Sequence, residues 1–168
     1  DLNTRLIESE TLDPADIRSL IPEFVSQLQA FRTVGAILVC NANLDTMWVE
    51  RVDDSSNKVA IFETKNGSDN CVEWMLDEDG ELLGDPIGSY RYAPRERPWY
   101  AAAVNDKNER AWSELYTWAG SEAEHPIGTG RSRVVRDEQG KLLAVIDVGF
   151  TVEELSEYLN SIDVSPNG

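Results

Sequence analysis

Histidine is almost missing from this sequence: His125 is the only one among 168 residues. A single imidazole excludes a His-Glu-x-x-His metal motif. His125 stands on an acidic, glycine-containing stretch, which suits a surface residue better than a general base. Cysteine is scarce too. Cys40 and Cys71 have no metal-binding spacing, and neither has a neighbouring His to make it a nucleophile. A disulfide between them would need an oxidising compartment; two free thiols, with Cys40 inside an apolar strand, is the preferred reading. There is no Gly-x-Ser-x-Gly and no phosphate loop. No apolar run approaches the length of a membrane-spanning helix. Positive charge is in short supply as well, with 15 Lys+Arg against 31 Asp+Glu and a formal charge of −16. Such a chain repels nucleic acid and anionic lipid surfaces, so no nucleic-acid partner is expected. No cofactor and no metal is expected either. Asp77-Glu78-Asp79-Gly80 is acidic enough to suggest calcium, but it lacks the downstream ligands of a calcium loop and reads as a polar turn.

What is present is a single-domain pattern. The length suits one domain with a real core. Asp1 to Leu12 reads as the frayed end of a helix. Asp13 and Pro14 read as N-cap and first position of a helix. Its apolar face is Ile17, Leu20, Ile21, Phe24, Leu28 and Phe31, with a kink or two abutting helices at Pro22. Ala36–Cys40 and Thr46–Val52 read as strands around the turn Asn41–Asp45, and Lys58–Thr64 as a third. Cys71–Leu76 fits either strand or helix. Asp85, Pro86 and Gly88 read as a loop. Ala111–Thr117 reads as one strand, Trp118–Thr129 as a long loop of the kind that often covers a binding site, and Gly130–Arg136 as a strand. Leu142–Phe150 is a buried strand, followed by the capping box Thr151-Val152-Glu153-Glu154 and a helix with Val152, Leu155 and Leu159 inward. We divide the chain into an N-terminal segment 1–13, one domain over 14–162, and a tail 163–168. The chain begins at Asp1 rather than Met and opens on no signal-peptide pattern, so we read it as an excised or processed segment whose membrane anchor would lie outside it.

The chemistry concentrates in Tyr92-Ala93-Pro94-Arg95-Glu96-Arg97-Pro98-Trp99-Tyr100. Pro98 suits the first turn of a helix continued by Ala101, Ala102 and Ala103. Arg97, Trp99 and Tyr100 therefore sit at a loop-to-helix junction, where a guanidinium, aromatic faces and free N–H groups can hold a small carboxylate. The plainer reading packs both aromatics in a core and pairs Arg97 with an acid. Asp147 is the other informative residue. In an extended strand it shares a face with Val145 and Gly149, while Ala144, Ile146, Val148 and Phe150 share the opposite face. An acid among aliphatics is costly unless paired. Its carboxylate would meet a ligand ammonium or, more plainly, a base such as Arg97. Together Arg97 and Asp147 describe a site for a zwitterion, walled by Trp99, Tyr100 and Tyr116.

That stretch resembles the ligand-side motif of Cache domains, the extracytoplasmic PAS-like sensor modules of bacterial receptors. Their usual run is Tyr-Asp-Pro-Arg-x-Arg-Pro-Trp-Tyr, and here Ala93 stands where the family has Asp. Trp112-Ser113-Glu114-Leu115-Tyr116 resembles the family's Trp-Ser-x-x-Tyr. Gly140–Gly149 resembles its closing strand, with Ala144 for a common Gly and Asp147 retained. The resemblance implies an α+β fold: a PAS-like antiparallel sheet with flanking helices and an N-terminal helix. It implies a non-enzymatic sensor domain in the periplasm or extracellular space, held to the membrane through segments outside this chain. The amino-acid-binding subset of the family implies ligand contacts at Tyr92, Arg97, Trp99, Tyr100 and Asp147, with Tyr116 beside them. A small carboxylate, an amino acid foremost, is the expected partner. Those relatives usually carry a second, membrane-proximal subdomain, for which nothing after Leu159 is long enough. The alternatives are a ligand-free dimerisation module, with the Ile17–Phe31 stripe meeting a copy of itself, and an acid/base hydrolase. Core packing is the preferred reading of that stripe.

Overall fold

A computed structural model describes residues 2–122 and 125–161. Among these residues nine antiparallel strands form one sheet. They are β1 (Ala36–Asn41), β2 (Thr46–Arg51), β3 (Asn57–Phe62), β4 (Asn70–Leu76), β5 (Leu82–Arg91), β6 (Arg110–Trp112), β7 (Tyr116–Thr117), β8 (Ile127–Arg136) and β9 (Leu142–Thr151). Their order is β5-β4-β3-β2-β1-β9-β8-β6, with β7 also on β8. The helices are α1 (Leu2–Glu8), α2 (Ile21–Ala30), α3 (Pro98–Asn105) and α4 (Val152–Ser161). This is the expected α+β architecture, with β1 and β9 paired at its centre.

Three of the hairpins close by one device. The Asn41 side-chain oxygen accepts the N–H groups of Asn43 and Asp45. Asp77 does the same for Asp79 and Glu81, and Asp137 for Gln139 and Lys141. A short Asx side chain that caps its own turn fixes the hairpin register locally. Gly80 and Gly140 follow those aspartates with φ of 86° and 81°, where a Cβ would be strained. The acidic run at 77–80 is therefore a turn.

The sheet separates two apolar layers. On one face Ile7, Leu20, Phe24 and Leu28 pack on Val39, Val49, Val59 and Ile146. On the other Tyr92, Trp99 and Ala103 pack on Leu38, Trp48, Phe62 and Val145. The alternation along β9 follows the sequence reading: Ala144 and Ile146 lie in the first layer, Val145 in the second. Cys40 and Cys71 are buried free thiols. They lie three strand spacings apart, roughly 14 Å.

Several local expectations need correction. The helix does not start at Pro14: Asp13 turns the chain by accepting the Ala15 N–H, and a 3-10 turn at Ile17–Leu20 comes first. Pro22 then falls in the first turn of α2, so two helical pieces abut there rather than one helix kinking. The stripe from Ile17 to Leu28 is consumed by the chain's own core, and only Phe31 is exposed. Asp85-Pro86 does not break the chain into a loop. Pro86 lies within β5, an edge strand, where its missing N–H breaks no ladder. Register shifts there, so that Glu73 faces Gly88 while Met75 faces Leu83. Residues 111–117 are two short strands, β6 and β7, and β8 begins three residues earlier than expected, at Ile127. The capping box forms as read, with Thr151 and Glu154 exchanging hydrogen bonds. The face of α4 is different: Val152 and Leu159 are exposed. The tail beyond 161 lies outside the described residues.

Candidate functional site

The site is built on the second layer. β5 ends at Arg91, and Tyr92 enters the core beside Trp48, ring centroids 5.0 Å apart. A short 3-10 turn, Pro94–Glu96, delivers Arg97 to the N-cap of α3 in extended conformation. Pro98 opens the helix, as the sequence implied. Trp99 then points inward and is 1% exposed.

The Arg97 guanidinium lies between two rings, 5.9 Å from the centroid of Tyr92 and 5.4 Å from that of Tyr116. It donates one hydrogen bond to the carbonyl of Thr117 at 3.0 Å. Among the described residues no carboxylate pairs with it, so the plainer expectation of an Arg97–Asp147 bridge is not met. Tyr92, Arg97, Trp99 and Tyr116 line one pocket with Ala36, Leu38, Trp48, Trp118 and Ala119. Burial raises the pKa of Tyr92 and Tyr116, so both hydroxyls stay neutral donors.

Asp147 is fully buried on the same sheet face, but it does not line this pocket. Its strand neighbours are Leu38, a pocket residue, and Ser132. The Ser132 hydroxyl donates to Oδ1 at 2.6 Å, while Oδ2 has no partner. Burial pushes the carboxyl up to about 7, partly offset by that hydroxyl. Its charge also acts on Tyr116. Gly130 makes room for it: a Cβ there would stand 2.3 Å from Oδ2. Tyr100 does not line the pocket. It meets Trp99 edge-on at 5.7 Å and lies toward Cys40 and Arg95.

The cavity is tight. Measured to the centres of water-sized spheres it offers about 20 Å³, room for about one water. Trp118 fills it from above, packed so closely over Gly128 and Gly149 that a Cβ at either would stand under 3 Å from its ring. The indole N–H groups of Trp99 and Trp118 are buried without acceptors.

Comparison with solved structures decides the fold. The extracellular domain of the putative histidine kinase soHK1S-Z6 superposes with a TM-score of 0.55 at 15% identity, over 97% of this chain and 53% of that one. Methyl-accepting Chemotaxis protein X superposes at 0.53 and 16% identity, over 92% and 52%. The chain has the Cache fold. It spans about half the length of these two structures. No family model and no curated protein matches the sequence. Among the described residues no helix is long and apolar enough to cross a membrane.

Sequence reasoning missed part of the site. Trp48, Leu38 and Ala36 were legible as strand residues but not as pocket floor, because hairpin register alone brings them under Arg97. It also missed a charged cluster on the same face. Lys58 is 6% exposed and lies 3.6 Å from Glu50 and 3.9 Å from Glu73. It also bonds Glu122, in the loop that carries Trp118. Ser121 of that loop bonds Glu73. Burial works to lower the Lys58 pKa, but these acids more than offset it and hold the ammonium charged. Burial pushes Glu50 up to about 7, against the pull of Lys58. The signal was faint: one lysine in an apolar strand whose partners are about 8, 15 and 64 residues away.

Proposed function

We propose that this Cache domain is the ligand-sensing module of a transmembrane signalling receptor, outside the cytoplasm, and that it binds a small carboxylate, an amino acid foremost. Residues 14–162 act as the sensor, with 1–13 and 163–168 as flanking segments. The observation that carries the reading is a guanidinium held between two tyrosine rings with no carboxylate of its own among the described residues, on the same sheet face as a buried Asp147 whose Oδ2 is unpaired. Arg97 takes the ligand carboxylate through a charge-assisted fork. Asp147 takes the ammonium, and Tyr116 lies between them. Tyr92 and Trp99 form the apolar wall, and Tyr100 backs Trp99. Three or more ligand atoms exceed the present space, so Trp118 and its loop move outward on binding. We propose a sensor without enzymatic activity; among the described residues no group of His, Cys, Asp and Glu could hold a metal ion.

Titration calorimetry against amino acids and matched plain carboxylates tests this. A hydrogen bond to a charged group is worth ~1.5–3 kcal/mol, so Arg97→Ala weakens both ligand classes at least about tenfold. Asp147→Asn weakens amino acids more than plain carboxylates. Unchanged affinity in both folded variants places the ligand elsewhere.

A further inference from the structure

The aromatic pocket and a larger cleft share Trp118 and Ala119 as a common wall. By the measure that gives the pocket about 20 Å³, the cleft offers about 480 Å³, and Glu50 and Lys58 line it. The sheet explains the wall. Gly149, Ala36, Glu50 and Lys58 stand opposite one another in a row across β9, β1, β2 and β3. The first two leave a trough with almost no side chain, and the Trp118 ring lies in it, 2.9 Å from where a Cβ on Gly149 would stand. The trough runs on to Glu50. The neighbouring row on the same face holds Asp147, Leu38 and Trp48.

Glu50 is 8% exposed, and its two oxygens differ. Lys58 approaches Oε1 at 3.6 Å, while Oε2 is buried with no hydrogen-bond partner. The lysine is shared: the same ammonium lies 3.9 Å from Glu73 and bonds Glu122, one cation among three carboxylates. Arg51 also lines the cleft, but its guanidinium donates to the carbonyls of Leu28, Phe31 and Val34. His125 acts on Glu122. Residues 1, 123–124 and 162–168 include no Lys, Arg or His, so none of them brings a side-chain cation to Oε2. A buried carboxylate oxygen without a partner is costly.

Resting on the reading of Arg97 and Asp147 given above, we propose that the ligand is an amino acid with a cationic side chain, and that Glu50 is its specificity-determining residue. Arg97 and Asp147 hold the α-carboxylate and α-ammonium. The ligand side chain takes the trough in place of the Trp118 ring, and its terminal cation meets Oε2 of Glu50. The register fits such a ligand. Asp147 and Glu50 stand two strands and two residues apart, roughly 12 Å between backbones. With a charge-assisted hydrogen bond of ~2.8 Å at each end, roughly 6 Å remains between two cationic nitrogens. Ornithine and lysine have nitrogens at about that spacing.

The test is titration calorimetry with lysine and with norleucine, which has the same carbon chain but no terminal ammonium. The proteins are wild type, Glu50→Gln, Glu50→Asp and Arg97→Ala, each shown to be folded by a cooperative urea transition. Wild type is expected to bind lysine at least about tenfold more tightly than norleucine. Glu50→Gln brings lysine down to the level of norleucine. Glu50→Asp keeps the charge but retracts it by one methylene, and leaves a smaller preference; it serves alone if the glutamine variant does not fold. Arg97→Ala weakens both amino acids alike. Equal binding of the two by wild type, or a lysine preference that survives undiminished in the Glu50 variants, overturns this proposal, while a loss of both in Arg97→Ala leaves the Arg97 site standing. Lysine binding that Arg97→Ala leaves unchanged overturns the Arg97 reading and, with it, the span proposed here. Failure of lysine to bind at all also overturns the proposal, and norleucine and plain carboxylates then judge the Arg97 site separately.

Discussion

Asp147→Asn should make the unliganded protein more stable at pH 8 and less stable at pH 4. The carboxyl is fully buried, and its pKa stands at about 7 against an ordinary 3.8, because burial disfavours the charged form. The folded state thus holds this proton more tightly than the unfolded chain. Below pH 4 both states are protonated and nothing is lost. Between pH 4 and 7 the unfolded chain releases this proton while the folded state keeps it, and stability falls by ~1.4 kcal/mol per pH unit. A shift of this size amounts to about 4 kcal/mol by pH 7, after which the loss is constant. Asparagine never ionises, so that loss disappears. It keeps an oxygen for Ser132, but its NH2 replaces an Oδ2 that has no partner, and a buried unsatisfied donor costs ~1–3 kcal/mol. The two stability curves therefore cross between pH 4 and 7. Urea unfolding of both proteins across that range measures the crossing. Glu50 titrates in the same direction and cancels in the difference. Parallel curves would show that the pKa of Asp147 does not change on folding and would refute the burial argument; curves that go on diverging above pH 7 would show that the carboxyl stays protonated in the folded protein, and the reading of it as an anion awaiting an ammonium would fall. The same linkage makes amino-acid affinity rise with pH up to about 7, as ligand binding expels the proton.

Two further substitutions probe the surroundings. Gly130→Ala drives a methyl against the Asp147 carboxylate, with 2.3 Å between Cβ and Oδ2. Overpacking of this kind costs ~1–3 kcal/mol, and an unchanged urea midpoint would show that the carboxylate can lie elsewhere. Lys58→Met leaves Glu50 and Glu73 buried without their cation. Breaking a buried pair from one side costs ~3–5 kcal/mol, read as a lower melting midpoint at pH 8 that recovers in part toward pH 5 as Glu50 protonates. A loss independent of pH would contradict it.

Much of the frame was legible in the sequence because its signals are local. β1, β2 and β9 announce themselves as apolar runs, the Asx turns between strands carry their own caps, and Thr151 and Glu154 spell a capping box. The junction at Arg97 and Pro98 was equally local. What failed depended on position in the sheet. Pro86 reads as a breaker until β5 is known to be an edge. Residues 111–117 read as one strand until β8 is seen to pair with 110–112 and 116–117 separately. Val152 and Leu159 read as an inner face until α4 is found with little to cover it. At the site, Arg97 and Asp147 stood out by charge against their neighbours. Trp48, Trp118 and the Lys58 cluster did not, since only pairings across distant strands assemble them.

Asp147 and the cap of α4 belong to one strand. Four residues separate Asp147 from Thr151, roughly 13 Å of extended chain, clamped by β1 on one side and β8 on the other. Such a segment hardly stretches, and its hydrogen-bonded neighbours resist bending. A displacement of the backbone at Asp147 along the strand axis is thus handed to the first turn of α4 almost undiminished. The Asp147–Thr151 half of β9 behaves as a stiff rod, with the carboxyl at one end and the helix at the other.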